Sequence, residues 1–442
     1  MRWARVAAIF LGSFFLSAAA AAAQEGQAKP LSLSEAIEIV LENSPLSEVS
    51  IQGVAAAEQE RKSTRGEFLP KLKTGFDFTV YNDVPTILIP AAPPVPAQSF
   101  PAGSYRQLSS TTSLEQPLFT GLALLSQHRL AGLSLGEAEV QREGTQQELV
   151  LKTHEAYFGV LVAEKLLDVA NLAVTQLESH AEVARQFFET GMTPKNDLLK
   201  VIVQLADTKR NQILASHQLE LARSQFNILL RRSMEEPVVL TETLACRPYA
   251  RTLDECLQLA LQRHPEVRIS NLQILKADQS IRLARSGLYP HFAVVGSLTQ
   301  EDGALAESDQ VLRATLHAEW SVWEWGSQYY KVKSAESQQA VARARHAQIS
   351  DSLQLQVRQA YLMVQEWKEA ISVSEASIEQ AQENFRITEE QFKSNVTTST
   401  DVLDAQTLLD QAQVNYYSAL SDYNVSIARL ERAMGILSPP GP

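Results

Sequence analysis

Apolar residues recur along this chain with two periods, one of three to four residues and one of two residues. The longer period extends over two stretches without proline, from Leu122 to Glu189 and from Ser327 to Ser394. It predicts long helices that bury one seam against a neighbouring helix, as in a coiled coil. At about 1.5 Å of rise per residue, each helix would be about 100 Å long, more than most compact domains can hold.

The seam is clearest in the last third of the chain. Its positions on the outgoing helix are Val357, Ala360, Val364, Trp367, Ile371, Ser374, Ile378, Ala381 and Phe385. On the returning helix they are Val402, Ala405, Leu409, Ala412, Tyr416, Ala419 and Tyr423. We therefore predict two helix pairs, which turn at residues 190–196 and 394–400.

The two-residue period predicts four strands, at about residues 71–81, 105–116, 290–300 and 310–321. In the first of them, Leu72, Phe76 and Phe78 alternate with polar residues. One such strand alone is more typical of a half-buried soluble hairpin. The strand length of about ten residues, the polar second face and the helical context favour tilted membrane strands that line a wet lumen.

The whole pattern occurs twice. Pro45 recurs as Pro265, 220 residues later, whereas Tyr157 recurs as Tyr361, 204 residues later. The offset falls because the first copy has extra residues in a loop between 85 and 101, whose six prolines oppose a central strand or helix. We predict a first repeat at residues 31–231, a linker at 232–251 and a second repeat at 252–436.

The first residues carry an export signal. Arg2 and Arg5 precede an apolar run, which ends in a series of alanines at Ala23. A basic end, a short apolar segment and an Ala-x-Ala exit predict a signal peptide over residues 1–23. A membrane anchor is the alternative, but the apolar run is shorter than the roughly 20 residues that a spanning helix needs.

Composition narrows the possible functions. A net charge of −12 argues against nucleic acid as a partner, because nucleic-acid binding needs a basic face. The eight histidines are scattered, and no phosphate loop or nucleophile elbow is present, so we expect no enzyme activity, cofactor or metal site. Cys246 and Cys256 lie ten residues apart, and a disulfide and two free thiols are equally compatible with that spacing.

Four strands cannot close a membrane barrel, for which about eight is the smallest number. An open strand edge in lipid is costly, since each unpaired backbone group costs several kcal/mol. The chain must therefore share its sheet with other copies. Two copies would give about eight strands and three copies about twelve, which is wide enough for a passage.

The order of elements and four short motifs resemble the TolC-like outer-membrane efflux family. The strand-to-helix junctions are Gln116–Gly121 and Trp320–Gly326, and the helical turns include Phe188–Gly191 and Asp401–Asp404. The resemblance covers nearly all of the chain after the signal peptide. It implies a mainly α fold with membrane β-strands: a trimeric 12-stranded β-barrel, continued by a long periplasmic α-helical barrel.

The same resemblance implies a function and partners. It identifies the chain as the exit duct of a tripartite efflux or type I secretion system in the outer membrane. The expected partners are two further copies of the chain, a periplasmic adaptor protein, an inner-membrane transporter and outer-membrane lipid. A periplasmic coiled-coil scaffold or adaptor without a pore is the alternative, but it does not account for four strands placed symmetrically between helices.

The family's tunnel narrows at the helical turns, where aspartates form rings. Asp401, Asp404 and Asp197 match those positions and are the expected periplasmic gate. The alternative is that they are ordinary acidic residues at helix N-termini, favoured there by the helix dipole. The places of the family's gate-closing aromatic hydroxyl and arginine are taken by Phe392 and Thr397, which cannot make the same bonds. The expected adaptor-contact turns are formed by Thr190, Gly191, Met192, Ser394, Asn395 and Val396.

Overall fold

The computed structural model describes residues 30–84, 86–101, 103–302 and 310–438, and the expected signal peptide lies outside them. The protein is mainly helical with a small sheet. Its helices are α1 (Leu33–Asn43), α2 (Pro45–Gly66), α3 (Ala123–Glu189), α4 (Lys195–Leu229), α5 (Leu253–Arg263), α6 (Pro265–Ser286), α7 (Ser327–Lys393) and α8 (Ser399–Ala433). Its strands are β1 (Lys71–Val80), β2 (Thr86–Ile89), β3 (Gln98–Pro101), β4 (Arg106–Thr120), β5 (His291–Asp302) and β6 (Gln310–Glu319).

Helices α1 to α4 have the same lengths as helices α5 to α8, in the same order. Both sets contain 11, 22, 67 and 35 residues. The two longest helices end within one residue of the positions that the proline-free stretches predict. Helix α1 begins at a capping box, in which the Ser32 side chain accepts from the Glu35 backbone N–H and the Glu35 carboxylate accepts from Ser32.

The main sheet has the strand order β1-β4-β5-β6 and is antiparallel throughout. The four predicted strands are therefore confirmed, and β1 and β6 are the edges. Strand β4 is longer than predicted because its last residues pair with β5, ending with Thr120 opposite His291.

A second sheet lies in the proline-rich loop, for which the sequence predicted no strand. Strands β2 and β3 form this two-stranded sheet. Pro90, Pro93, Pro94 and Pro96 fall between the two strands, where they remove no hydrogen bond from a ladder.

The chain divides into two compact units. One unit comprises residues 46–145 and 257–355 and contains the main sheet. Of the described residues, the other unit comprises 30–45, 146–256 and 356–438. In this second unit the Tyr157 ring is fully buried, and its hydroxyl donates to the Leu31 carbonyl oxygen at 3.1 Å.

The predicted coiled-coil seams are confirmed by burial. Val357, Val364 and Ile371 on α7 are buried, as are Val402 and Leu409 on α8. Among the described residues, none of the helices combines the length and the apolar character that crossing a membrane requires. Cys246 is exposed, Cys256 is buried and both thiols are free, so the disulfide alternative does not hold in this structure.

Candidate functional site at the two helical turns

The first helical turn joins α3 to α4. Gly191 has a φ of 76°, and its N–H donates to the Phe188 carbonyl oxygen at 3.0 Å. The N–H of Met192 donates to the Phe187 carbonyl oxygen at 2.8 Å. A left-handed residue that directs the following N–H groups back to the last helical carbonyls is a common helix ending, and glycine adopts it at least cost.

The second turn joins α7 to α8 with the same backbone bonds. Asn395 has a φ of 59°, and its N–H donates to the Phe392 carbonyl oxygen at 2.8 Å. The N–H of Val396 donates to the Gln391 carbonyl oxygen at 2.9 Å. Asparagine is among the few residues other than glycine that tolerate the left-handed region.

All six residues expected to contact an adaptor lie on the surface. Thr190, Gly191, Met192, Ser394, Asn395 and Val396 are exposed. Met192 is 58% exposed and Val396 is 74% exposed, so each turn places one apolar side chain in solvent. The turns are accessible in this chain, and a partner that binds them would cover apolar as well as polar surface.

Asp401 closes a capping box at the start of α8. Its Oδ2 accepts from the Thr397 hydroxyl and the Thr398 hydroxyl, both at 2.6 Å, and from the Thr398 N–H at 2.9 Å. The Thr398 Oγ1 in turn accepts from the Asp401 N–H at 3.4 Å. The Thr397 and Thr398 hydrogen bonds lower the pKa of Asp401 to about 2. The side chain therefore caps a helix and remains charged at any ordinary pH.

The other two predicted gate aspartates have different surroundings. Asp404 is exposed one turn beyond Asp401 on the same side of α8. Asp197 is half-buried, and its Oδ1 pairs with the Lys200 Nζ at 3.5 Å. Lys200 also donates to the Thr400 hydroxyl at 3.3 Å. One lysine thus connects the N-terminal turn of α4 to that of α8, a role that sequence reasoning missed because the bonded residues lie 200 positions apart.

A buried cluster beneath the two turns unites α3, α4, α7 and α8. Its fully buried members are Ala181, Ala184, Val201, Phe392 and Val402. The Phe392 ring lies 5.4 Å from the Phe187 ring and 4.7 Å from the His180 ring, measured between centroids. The two positions that depart from the family pattern therefore have other roles, since Phe392 fills this cluster and Thr397 bonds Asp401.

His180 is the titratable group of this cluster, and sequence reasoning also missed it. The side chain is 4% exposed, and burial lowers its pKa to about 4. Glu389 and Lys393 of α7 act on the imidazole in opposite directions. The ring is therefore neutral at neutral pH, and charging it would require water or a rearrangement.

Asp410 lies on α8 at a cavity of about 380 Å³. Its carboxylate accepts from Gln406 at 2.7 Å, yet burial raises its pKa to about 6. The polar residues around it are Gln204, Thr208, Asn211, Gln218, Thr407 and Gln411. No periodic signal marked Asp410, because its burial depends on how α3, α4 and α8 meet.

The chain is similar to known proteins along most of its length. A model of the family described as "Outer membrane efflux protein" matches residues 36–230 and 256–436. Outer membrane protein TolC of Vibrio cholerae is 24% identical over 314 residues, which are 68% of this chain and 71% of that protein. The alkaline protease secretion protein AprF of Pseudomonas aeruginosa is 22% identical over 429 residues, 92% of this chain and 85% of that protein.

The fold also matches a solved structure. The Campylobacter jejuni CmeC outer membrane channel superposes with a TM-score of 0.78 over 91% of this chain and 85% of that chain. At 15% sequence identity this similarity shows the fold alone. The helices and sheet described above therefore have the same fold as that structure.

Proposed function

The chain belongs to the outer membrane efflux protein family, and we propose that three copies of it assemble into one duct. The protein is located in the outer membrane, where it serves as an exit duct for efflux or type I secretion. Proteins of this family are channels rather than enzymes.

The open sheet is the observation that supports a sheet shared between copies, and the count of three is taken from the family resemblance. Strands β1 and β6 are edges, so each chain leaves two rows of backbone groups for other strands. In the proposed trimer the three sheets join into a 12-stranded β-barrel, and the long helices form a tube beneath it. Closure stabilises the assembly because it removes unpaired backbone groups from lipid.

We further propose that the chain arose by internal duplication. The repeats would cover residues 31–231 and 252–436, joined by a linker at 232–251. Two observations support this: the equal helix lengths in the two halves, and the separate matches of the family model to residues 36–230 and 256–436. With two similar halves in each chain, a trimer presents six similar units to its partners.

The proposed partners are a periplasmic adaptor protein and an inner-membrane transporter. The exposed turn residues Thr190–Met192 and Ser394–Val396 are the proposed adaptor contact. Of the three aspartates, Asp404 is the best candidate for the gate, because its carboxylate is exposed and is not part of the capping box. In a trimer, Asp404 and Asp401 would form acidic rings that attract cations and repel anions.

Membrane extraction and channel recording together test the duct. The protein is expected to stay with the outer membrane after a salt wash, to have the mass of three chains in detergent, and to conduct ions in planar bilayers. A coiled-coil scaffold without a pore would be released by salt and would give no conductance. Monomers in detergent would contradict the trimer.

A further inference from the structure

Two strand-to-helix junctions in the sheet-containing unit share an unusual backbone. At the first junction, Gly121 and Leu122 have φ values of 59° and 71°. At the second, Trp325 and Gly326 have φ values of 51° and 81°. Positive φ is costly for a bulky residue, so each junction holds one bulky side chain, Leu122 or Trp325, where only glycine is free of strain.

The surroundings of the two junctions are opposite. A Cβ at Gly121 would lie 2.4 Å from the Ser286 carbonyl oxygen and 3.1 Å from the Tyr289 Cβ, so the turn between α6 and β5 seals this junction. Trp325 is 87% exposed, and Trp323 beside it is 74% exposed. An apolar surface of this kind on one chain usually marks a binding site.

Strand pairing shows what the second junction lacks. Residues 116–120 belong to β4 because β5 pairs with them. The equivalent residues 320–324 lie outside β6 and pair with no strand among the described residues. Trp320 is held locally, since its Nε1 donates to the Leu288 carbonyl oxygen at 3.2 Å. The second junction has the same backbone conformation as the first, but no strand in the described part of the chain pairs with it.

We propose that the second junction, Trp320–Gly326, binds the α2–β1 turn and the β1 edge of a second copy of this chain. This inference rests on the proposed shared sheet and adds its register. The β4–β5 contact within one chain is the template. Each residue of β4 has an equivalent in β6, 204 positions later, and each residue of β5 has an equivalent in β1, 220 positions earlier. Each β4–β5 pair within the chain therefore defines a β6–β1 pair between two copies.

The template yields a single register. Thr111 pairs with Thr299 inside the chain, which places Thr315 opposite Thr79 of the second copy. The same mapping brings together side chains that suit each other. The pairs, β6 side first, are Leu316 with Phe78, His317 with Asp77, Ala318 with Phe76, Trp323 with Leu72 and Glu324 with Lys71.

The β4–β5 template sets this register, and the face pattern and charge each oppose one kind of slip. A slip of one residue would turn the apolar face of β1 toward the polar face of β6. A slip of two residues in one direction would move Glu324 from Lys71 to Leu69 but would set Glu319 against Lys73, so the β4–β5 template, and not charge, decides between these two registers. The opposite slip would set Glu319 against Asp77, and like charges directly opposite destabilise a strand pair. Lys71 already pairs with Glu67 in its own chain and would lie between two carboxylates.

Trp325 explains how the second junction differs from the first. Its Cβ excludes the close approach that Gly121 makes to a neighbouring turn, so the α2–β1 turn must sit further out. The indole then fills the gap. Leu69 and Leu72 of the approaching copy are 62% and 69% exposed, and they supply the apolar surface that this ring covers. Burial in the assembly offsets the backbone strain at residue 325.

Cysteine pairs test the register. In a background with Cys246 and Cys256 replaced by alanine, Thr79→Cys with Thr315→Cys is expected to give covalently linked chains after mild oxidation of membranes. The matched controls are Asp77→Cys or Tyr81→Cys with Thr315→Cys, which report slips of two residues and should remain unlinked. Trimers that link only through a control pair would overturn the register, whereas absence of trimers by mass would reject the proposed function instead.

A second measurement tests the tryptophan. Trp325→Ala is expected to lower the temperature at which detergent-solubilised trimers dissociate by several degrees, while the trimer still forms. Ile87→Ala, at another exposed apolar position, is expected to leave that temperature unchanged. Equal dissociation temperatures for Trp325→Ala and the unaltered protein would remove the indole from the interface.

Discussion

The turn after α3 and the turn after α7 have the same backbone hydrogen bonds, but different side chains hold them. At the first turn, Pro194 precedes α4 and provides no side-chain cap. At the second, Thr398 and Asp401 form a capping box. The equivalent aromatic residues also differ, since Phe188 is 37% exposed whereas Phe392 is 2% exposed.

The same backbone conformation can therefore form a turn that is held firmly and a turn that is held less firmly. The second turn is fixed by its own side chains and by the buried cluster beneath it. The first turn has no side-chain cap at the start of its second helix, although the Thr190 hydroxyl donates to the Gln186 and Phe187 carbonyl oxygens. It is connected to the second turn through Lys200. If the gate opens by rearranging its turns, we expect the first to move more readily than the second.

The largest effect should come from the aromatic pair. Phe392→Ala would leave a cavity among α3, α4, α7 and α8 and should destabilise the helix ends by about 3–5 kcal/mol. Phe188→Ala, at the equivalent but more exposed position, should cost less than half as much. Amide hydrogen exchange near the turns measures both. Equal losses would show that the two turns are held alike.

Acid should weaken the cluster through His180. Its pKa is about 4 in the folded chain and about 6.5 in the unfolded chain, so the unfolded state binds more protons between these values. Stability is therefore complete above pH 6.5 and falls as the pH drops toward 4, by on the order of 3 kcal/mol.

The control for this prediction is His180→Leu, which keeps the packing and removes the titration. Unfolding of the turn region by denaturant, followed from pH 7 to pH 4, should then lose most of its pH dependence. A pH profile that is unchanged by His180→Leu would place the acid sensitivity elsewhere, for example at His154, whose pKa burial also lowers to about 4.

The smallest effects should separate the cap from the proposed gate. Thr398→Ala removes the cap hydroxyl and should cost about 1 kcal/mol, with ion selectivity nearly unchanged. Asp404→Asn removes a charge from the proposed ring and should reduce the preference for cations in bilayers, with stability unchanged. If Asp404→Asn leaves selectivity as it was, the acidic residues at this turn serve the helix rather than the passage.

The elements were predictable because their signals are local. Proline-free stretches bounded the long helices, and two-residue alternation located the four main strands. The Thr398-x-x-Asp401 spacing is also a local signature, and it supports the alternative that Asp401 serves its helix. The predicted gate set did not reveal this division of roles between Asp401 and Asp404.

The features that were not predicted depend on contacts between residues that are far apart in the sequence. Lys200 meets Thr400 only because two helix pairs lie side by side, and no pattern within either helix records that contact. His180 and Asp410 look like ordinary polar residues in sequence, and their pKa values change only because neighbouring helices exclude water. The β2–β3 hairpin was hidden because its prolines suppress the strand signal while they occupy the connecting segment.

The Lys200 link has a consequence for the surroundings in which the protein works. The ammonium group lies about half in solvent, with a side-chain exposure of 48%, and its partners are a single carboxylate and a hydroxyl. Dissolved ions screen the ion pair with Asp197, over roughly 8 Å at physiological ionic strength, but have little effect on the bond to the neutral Thr400 hydroxyl. High salt should therefore loosen the pair between Lys200 and Asp197 within α4, whereas the bond that couples the two turns persists.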